Sequence, residues 1–382
     1  VEPNNDFASA EQVTLPATIA GVIKAEDGDS FKVRLPAGGR IAAAVDAVRL
    51  DQQMFDPHLE IVDAQGFVIA ACDDHSLLGQ DAMLTATVAE EGDYIIRLRE
   101  SAYGGNDNSV YLLHIGDFPV PFAAWPPGGS PGAEIEVEWL GDPAGPFRQQ
   151  VTLPAHAGVE ALADVHPLRA GSVSPVPVPL RVSPLSATAE AEPNNDPGAA
   201  TRATAPAALF GRLDAEDDVD WFRLEAPKGT KWHVRGWGRR IGSPVDLVVN
   251  IHRDNDKRER ITGNDDAEGP DSVVQFTVPE EGSFLIRVND HQRRGGPEFV
   301  YWLEAEQALP EVQVSVPVAR SNTQERLVAT VPRGNRAAVI FNTARADFGG
   351  PARVVIDGLP GGVQAVVPDA AGNAPATLAV FE

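Results

Sequence analysis

The sequence predicts an all-β protein made of tandem β-sandwich modules, jelly-roll-like sandwiches alternating with immunoglobulin-like ones, and three observations carry that prediction. Apolar residues recur with a period of two: Phe31, Val33 and Leu35 alternate with Lys32 and Arg34, and Phe284, Ile286 and Val288 alternate with Leu285 and Arg287. That spacing turns one face of a strand to a core and the other to water. Turn residues punctuate these runs at Pro36-Ala37-Gly38-Gly39, Gly66, Gly92 and Gly104-Gly105, as between short antiparallel strands. Finally, a block of about 115 residues occurs twice.

The repeat is read directly. Glu2-Pro3-Asn4-Asn5-Asp6 returns as Glu192-Pro193-Asn194-Asn195-Asp196, an offset of 190. Glu26-Asp27-Gly28-Asp29-Ser30-Phe31 answers Asp217-Asp218-Val219-Asp220-Trp221-Phe222, and Cys72-Asp73-Asp74 answers Asn264-Asp265-Asp266. Glu90-Glu91-Gly92-Asp93-Tyr94 answers Glu280-Glu281-Gly282-Ser283-Phe284. The copies span residues 1–116 and 189–306, and each is expected to form one sandwich. Residues 117–188 and 307–382 also read as β, from the alternations Ile135/Val137/Trp139 and Val312/Val314/Val316/Val318. Immunoglobulin-like sandwiches are expected there, the last one truncated. Pro-rich stretches at Phe118-Pro119-Val120-Pro121 and Ser174 to Pro179 frame the first of these, and are expected to be spacers or edges rather than central strand. Gly158 to Asp164 reads as a short helix. The expected whole is a rod of four modules.

Composition narrows the function. At 382 residues the chain is long enough for several domains, and 55 acidic against 31 basic residues give a net charge of −24. Nucleic acid, which needs basic partners, is excluded. Cys72 is the single cysteine, so no intramolecular disulfide forms. No run of about 18 apolar residues occurs, so no membrane span is expected in this segment. The start at Val1 and the strand-like end at Phe381 suggest an excised piece of a larger exported protein, placed outside the cell or on its surface, with neighbouring domains of the parent chain as partners.

The residues of chemical interest are the acid and amide clusters that recur at the start of each copy and again some twenty residues later. Calcium takes six to eight hard oxygen ligands, which two acidic segments brought together can supply. Carboxylates held close without a cation repel one another, and a dication turns that cost into a clamp. A single acidic turn is more often solvated surface; recurrence in both copies favours metal. Asp214 to Glu225 imitates an EF-hand loop, but Val219 stands where glycine is needed and Phe222-Arg223-Leu224 reads as strand, so the EF-hand is rejected.

The order Glu-Pro-Asn-Asn-Asp, Asp-rich turn, aromatic strand and Glu-Gly-x-Tyr/Phe-x-Ile-Arg strand resembles the bacterial pre-peptidase C-terminal domain, in both copies and over about 230 of the 382 residues. The resemblance implies β-sandwich modules of secreted peptidases and surface proteins, related to calcium-holding collagen-binding domains of collagenases. It implies the calcium ligands Glu190, Glu192, Asn194, Asn195, Asp217 and Asp220 in the second copy. In the first it implies Glu2, Asn4, Asn5, Glu26 and Asp29, with Glu26 replacing the aspartate and no counterpart of Glu190.

No catalytic constellation emerges: none of the eight histidines stands in His-Glu-x-x-His, and Ser130 lacks a nucleophile elbow. Cys72, replaced by Asn264 in the second copy, reads as a strand-end residue. The expectation is a non-catalytic, calcium-binding extracellular accessory or spacer segment. Two alternatives stand beside it. One is an accessory region of a secreted peptidase; the other is adhesion to an extracellular protein or polysaccharide through Trp232, Arg235, Trp237 and Arg239, provided those aromatics are exposed.

Overall fold

The fold follows from the alternation. The structure, a computed structural model, describes residues 3–50, 55–156, 161–266, 269–308, 311–316, 331–346, 350, 352–368 and 376–382, and the elements below are those among them. The chain is all-β and divides into two compact units, Val1–Ala308 and Leu309–Glu382. No helix among the described residues is long and apolar enough to cross a membrane.

The first copy supplies β1 (Glu11–Gln12), β2 (Ala17–Val22), β3 (Gly28–Leu35), β4 (Arg40–Asp46), β5 (Pro57–Val62), β6 (Val68–Cys72), β7 (Met83–Thr87), β8 (Gly92–Glu100) and β9 (Val110–Gly116). They form two sheets, in the orders β1-β3-β8-β5-β6 and β2-β9-β4-β7. Phe31, Leu59, Ile61, Ile96 and Leu113 fill the space between them. These are the alternate residues of each strand, so the period-two pattern is the core.

Next come β10 (Ala123–Trp125), β11 (Gly128–Gly129), β12 (Glu134–Leu140), β13 (Phe147–Thr152), β14 (Leu162–Val165), β15 (Leu168–Arg169), β16 (Ser172–Val173) and β17 (Val178–Val182). Sheets β10-β12-β13 and β11-β17-β14 enclose Trp139, Val137, Val178 and Leu180. Two expectations are corrected here. Leu162–Val165 is strand rather than helix, because Ala163 is drawn into this core opposite Leu180; residues 158–160 lie outside those described. Pro179 sits within β17, a middle strand, and is tolerated because β11 pairs only with Arg181 and Val182, leaving one side of Pro179 unpaired.

The second copy supplies β18 (Ala187–Ala189), β19 (Thr201–Ala203), β20 (Ala207–Arg212), β21 (Asp220–Ala226), β22 (Lys231–Trp237), β23 (Leu247–Arg253), β24 (Arg260–Asn264), β25 (Val273–Thr277), β26 (Gly282–Asp290) and β27 (Val300–Gln307). Its sheets, β19-β21-β26-β23-β24 and β18-β20-β27-β22-β25, have the strand order of the first copy with β18 added at one edge. The core holds Phe222, Val249, Ile251, Ile286 and Leu303.

These three sandwiches do not form a rod. Phe118, Val120 and Val176, from the two Pro-rich stretches, are buried against Ala42, Ala44 and Met83 of the first copy, and Arg40 grips Asp142 (Nη1 to Oδ1, 2.8 Å). On the other side the Trp125 ring meets Phe210, and Arg181 Nη2 donates to Glu304 Oε2 (2.8 Å) where both side chains are buried. The copies also touch directly, through Ser76 Oγ and the Gly242 carbonyl (3.3 Å). The Pro-rich stretches are therefore interface, not spacer.

The second unit contains β28 (Glu311–Ser315), β29 (Ala337–Ala346), β30 (Ala365–Val366) and β31 (Ala376–Phe381), in one sheet of order β28-β29-β31-β30. Val318 lies outside the described residues.

Candidate metal centre

The cluster of the second copy is assembled from both sheets of its sandwich. Glu190 follows β18, Asn194 lies in the turn beyond it, and Asp220 opens β21 in the opposite sheet. Oxygens of Glu190, Glu192 and Asp220 all lie within 4.8 Å of one another. Among the described residues, no basic side chain pairs with any of the three. The hydrogen bonds they accept are from neutral donors: Arg212 N to Glu190 Oε1 (2.7 Å), Asn194 N to Glu192 Oε2 (3.0 Å), and Tyr301 Oη to Asp220 Oδ2 (2.5 Å) and Glu190 Oε2 (3.2 Å).

The electrostatic consequence is a pair of misplaced carboxylates. Burial pushes Glu190 up to about 7, against the hydrogen bonds that support its charged form. Burial and then the charge of Glu190 push Asp220 well above the carboxylate range. Burial and both carboxylates raise Tyr301, which stays a phenol and a donor.

Asn194 is fully buried, and its side-chain oxygen faces Glu192 Oε1 and Asp220 Oδ1. Turned over, its NH2 donates to the same two atoms at 3.1 and 3.0 Å. Unturned, the amide adds a fourth oxygen to three carboxylates, an arrangement that a cation compensates. In the first copy Asn4 is 3 % exposed and its Oδ1 has no hydrogen-bond partner. Asp29, equally buried, accepts from the Tyr111 hydroxyl. The orphaned Asn4 oxygen and Asp29 line one cavity in the first copy, and the acid set of the second copy has the donor chemistry that suits a hard cation.

The sequence-predicted residues divide accordingly. Glu190, Glu192, Asn194 and Asp220 converge, and Asn4 and Asp29 occupy equivalent positions. Asn5 and Asn195 are exposed. Asp217 stands apart from the acid cluster: it sits at a positive φ of 64° in the turn before β21, and its carboxylate pairs with Arg293. Glu26 holds the same left-handed turn in the first copy, with φ of 61°. Glu2 lies outside the described residues.

Sequence reasoning missed Tyr111 and Tyr301, and missed the glycines that admit them. A Cβ at Gly211 would lie 2.2 Å from Tyr301 Oη and 2.3 Å from Glu190 Oε2, and one at Gly21 would strike the Tyr111 ring. Their signal was present, since both pairs recur at the same offset of 190.

The proposed Trp/Arg surface is corrected. Trp232 is in the core between the sheets, and Trp237 is wholly buried, with the guanidinium of Arg181 4.4 Å from its ring centre and that of Arg240 at 5.1 Å. Arg235 is half-buried, Arg239 is exposed and stands 3.9 Å from Asp246. The middle sandwich covers the face that was to bind a ligand.

No family model matches the sequence, and no curated protein matches it. Among solved structures, PliG of Aeromonas hydrophila, a periplasmic inhibitor of g-type lysozyme, is similar over 29 % of this chain and 100 % of its own, with 21 % identity and a TM-score of 0.23. Tandem CBM51 modules of a family 98 glycoside hydrolase from Streptococcus pneumoniae cover 75 % of this chain and 82 % of theirs, with 10 % identity and a TM-score of 0.19. The pre-peptidase C-terminal domain of collagenase from Bacillus anthracis is also among the structures this chain is similar to, over 31 % of this chain and 100 % of that one, with 14 % identity and a TM-score of 0.25.

Proposed function

We propose that this chain is a non-catalytic accessory segment of an exported protein, whose two repeated sandwiches are each clamped by calcium. The observation that carries the reading is the convergence of Glu190, Glu192, Asp220 and the buried Asn194 amide without a basic partner among the described residues. In the second copy these four side chains would hold the ion; in the first, Asn4 and Asp29 would do so. Main-chain oxygens and water would complete the six to eight ligands calcium takes.

The clamp's effect follows from where its ligands sit. Glu190 and Asn194 belong to the segment that leads out of the middle sandwich, and Asp220 to the far sheet. An ion between them ties that segment and both sheets together, and neutralises a charge cluster that otherwise strains the fold. The single cysteine is not an activated nucleophile. Burial raises the Cys72 thiol, with Asp73 and Asp74 adding to the rise, so it is poorly ionised.

The test is thermal unfolding in chelator and across a calcium titration, with terbium as a luminescent substitute excited through Tyr301. Calcium at 100 times its dissociation constant should stabilise by about 2.7 kcal/mol. Glu192→Gln, at an exposed position, should weaken the response at least tenfold. An unchanged melting temperature, or a response indifferent to Glu192→Gln, would overturn the clamp and leave the buried acids protonated without a metal.

A further inference from the structure

The two copies differ in how they treat one arginine on the outer face of a sheet. In the first, Arg97 on β8 lies directly opposite Glu60 on β5, and Arg97 Nε donates to Glu60 Oε2 at 2.6 Å. In the second, Arg287 on β26 lies opposite Asn250 on β23, so the carboxylate has become an amide. Arg287 donates instead to Asn289 Oδ1. Arg260, from β24, reaches over Gly263 and donates through Nε to Asn250 Oδ1 at 2.5 Å. Where the first copy has a closed ion pair, the second has two guanidinium groups held by neutral amides. Among the described residues neither has a carboxylate partner. Burial alone lowers the Arg287 guanidinium, the mark of a cation that has lost water and gained no anion.

The neighbours add a specific chemistry. The His252 imidazole packs edge-on to Trp221, centroids 5.1 Å apart, and Trp221 is the cross-strand neighbour of Arg287. Burial lowers His252, with the charges of Arg287 and Arg260 adding to that against the Arg258 carbonyl, so the ring is neutral. Its Nδ1 lies 2.8 Å from Arg258 O, which assigns the proton to Nδ1 and leaves Nε2 an acceptor. An anion cradle beside a hydroxyl acceptor suits a carboxylate carried next to hydroxyl groups.

We propose that the β26-β23-β24 face of the second copy, through Arg287, Arg260, Asn250 and His252, binds the carboxylate of a uronic-acid-type saccharide. Paired guanidinium groups match the planar oxyanion, and His252 accepts from an adjacent sugar hydroxyl. An acidic peptide supplies the carboxylate without that hydroxyl. This site is separate from the acid cluster and stands or falls independently of the calcium reading.

The decisive variant is Asn250→Glu, which restores the carboxylate that Glu60 supplies in the first copy and should leave melting temperature unchanged or raised. Oligogalacturonate and an oligoglutamate peptide are titrated into the full chain at fixed calcium. Wild type should bind oligogalacturonate, more weakly as salt is added, and Asn250→Glu should lose at least tenfold in affinity. Arg260→Gln, an exposed change, should lose a similar factor and serves if Asn250→Glu misfolds. Absence of saccharide binding overturns the proposal, as does binding that both variants leave intact. Equal or tighter binding of the peptide overturns the saccharide assignment.

Discussion

The buried Asn194 side chain can present either its oxygen or its NH2 to Glu192 and Asp220, and the NH2 is the one that makes hydrogen bonds with them when no cation is bound. Without a cation, Glu190 and Asp220 have folded-state values above their unfolded ones, so the folded chain keeps protons that the unfolded chain has released. Stability from this pair is therefore fullest at low pH and is lost as pH rises from the ordinary glutamate value of 4.5 to about 7 and beyond. On the proposed calcium reading, the ion takes the place of those protons. Its binding should release about two protons per ion near pH 6, and its affinity should climb across the same interval. Calorimetry in buffers of different ionisation heat measures the proton count; an enthalpy independent of buffer would show that no proton is displaced.

At the level of elements, the middle sandwich is fixed by one charged residue at each end. Burial pushes Asp142 up, but hydrogen bonds from Arg40, Ala144 N and Val120 N outweigh it and hold the carboxyl below its usual range. That contact contributes stability above the ordinary aspartate value and loses it as pH falls, the reverse of the acid cluster. At the other end Arg181, from β17, is 3 % exposed; its Nη1 donates to the Ala161 and Val182 carbonyls, both at 2.8 Å, and its Nη2 to Glu304. Arg181→Met leaves the Glu304 charge buried without its basic partner. It should cost about 3 kcal/mol in urea unfolding, and a loss below about 1 kcal/mol would show that the junction relaxes around it.

For the molecule as a whole, the shared junction predicts how residues 1–308 unfold. Trp139 reports the middle sandwich, Trp237 and Trp302 the second, and Tyr111 the first, and interfaces with buried charge and aromatic rings join them. Their transitions should coincide in urea, and chelating calcium should shift all of them together rather than the repeated sandwiches alone. Separate transitions would mean that the interfaces add little to the stability of each sandwich. The net charge of −24 works against a compact chain, and the proposed dication binding at the acid clusters would reduce that repulsion.

Much of this was open to reading in the residues alone. Alternation at Phe31-Val33-Leu35 and Phe284-Ile286-Val288 defines core-facing strands because a side chain changes face at every residue, a purely local rule. The repeat identified the acid segments for the same reason: matching residues that recur in the same order at nearly the same offset need no knowledge of the fold. Which acids meet was decided by tertiary structure. Asp217 and Asp220 are three residues apart, yet a left-handed turn gives one to Arg293 and strand pairing gives the other to Glu190, 30 residues away in sequence. Whether Trp237 faces solvent was equally beyond local pattern, because an outer face reads the same whether water or a neighbouring sandwich covers it. The sequence by itself determined strands, repeat and donor chemistry, which depend on near neighbours; only the tertiary structure decided convergence and exposure, which depend on contacts between residues far apart in the chain.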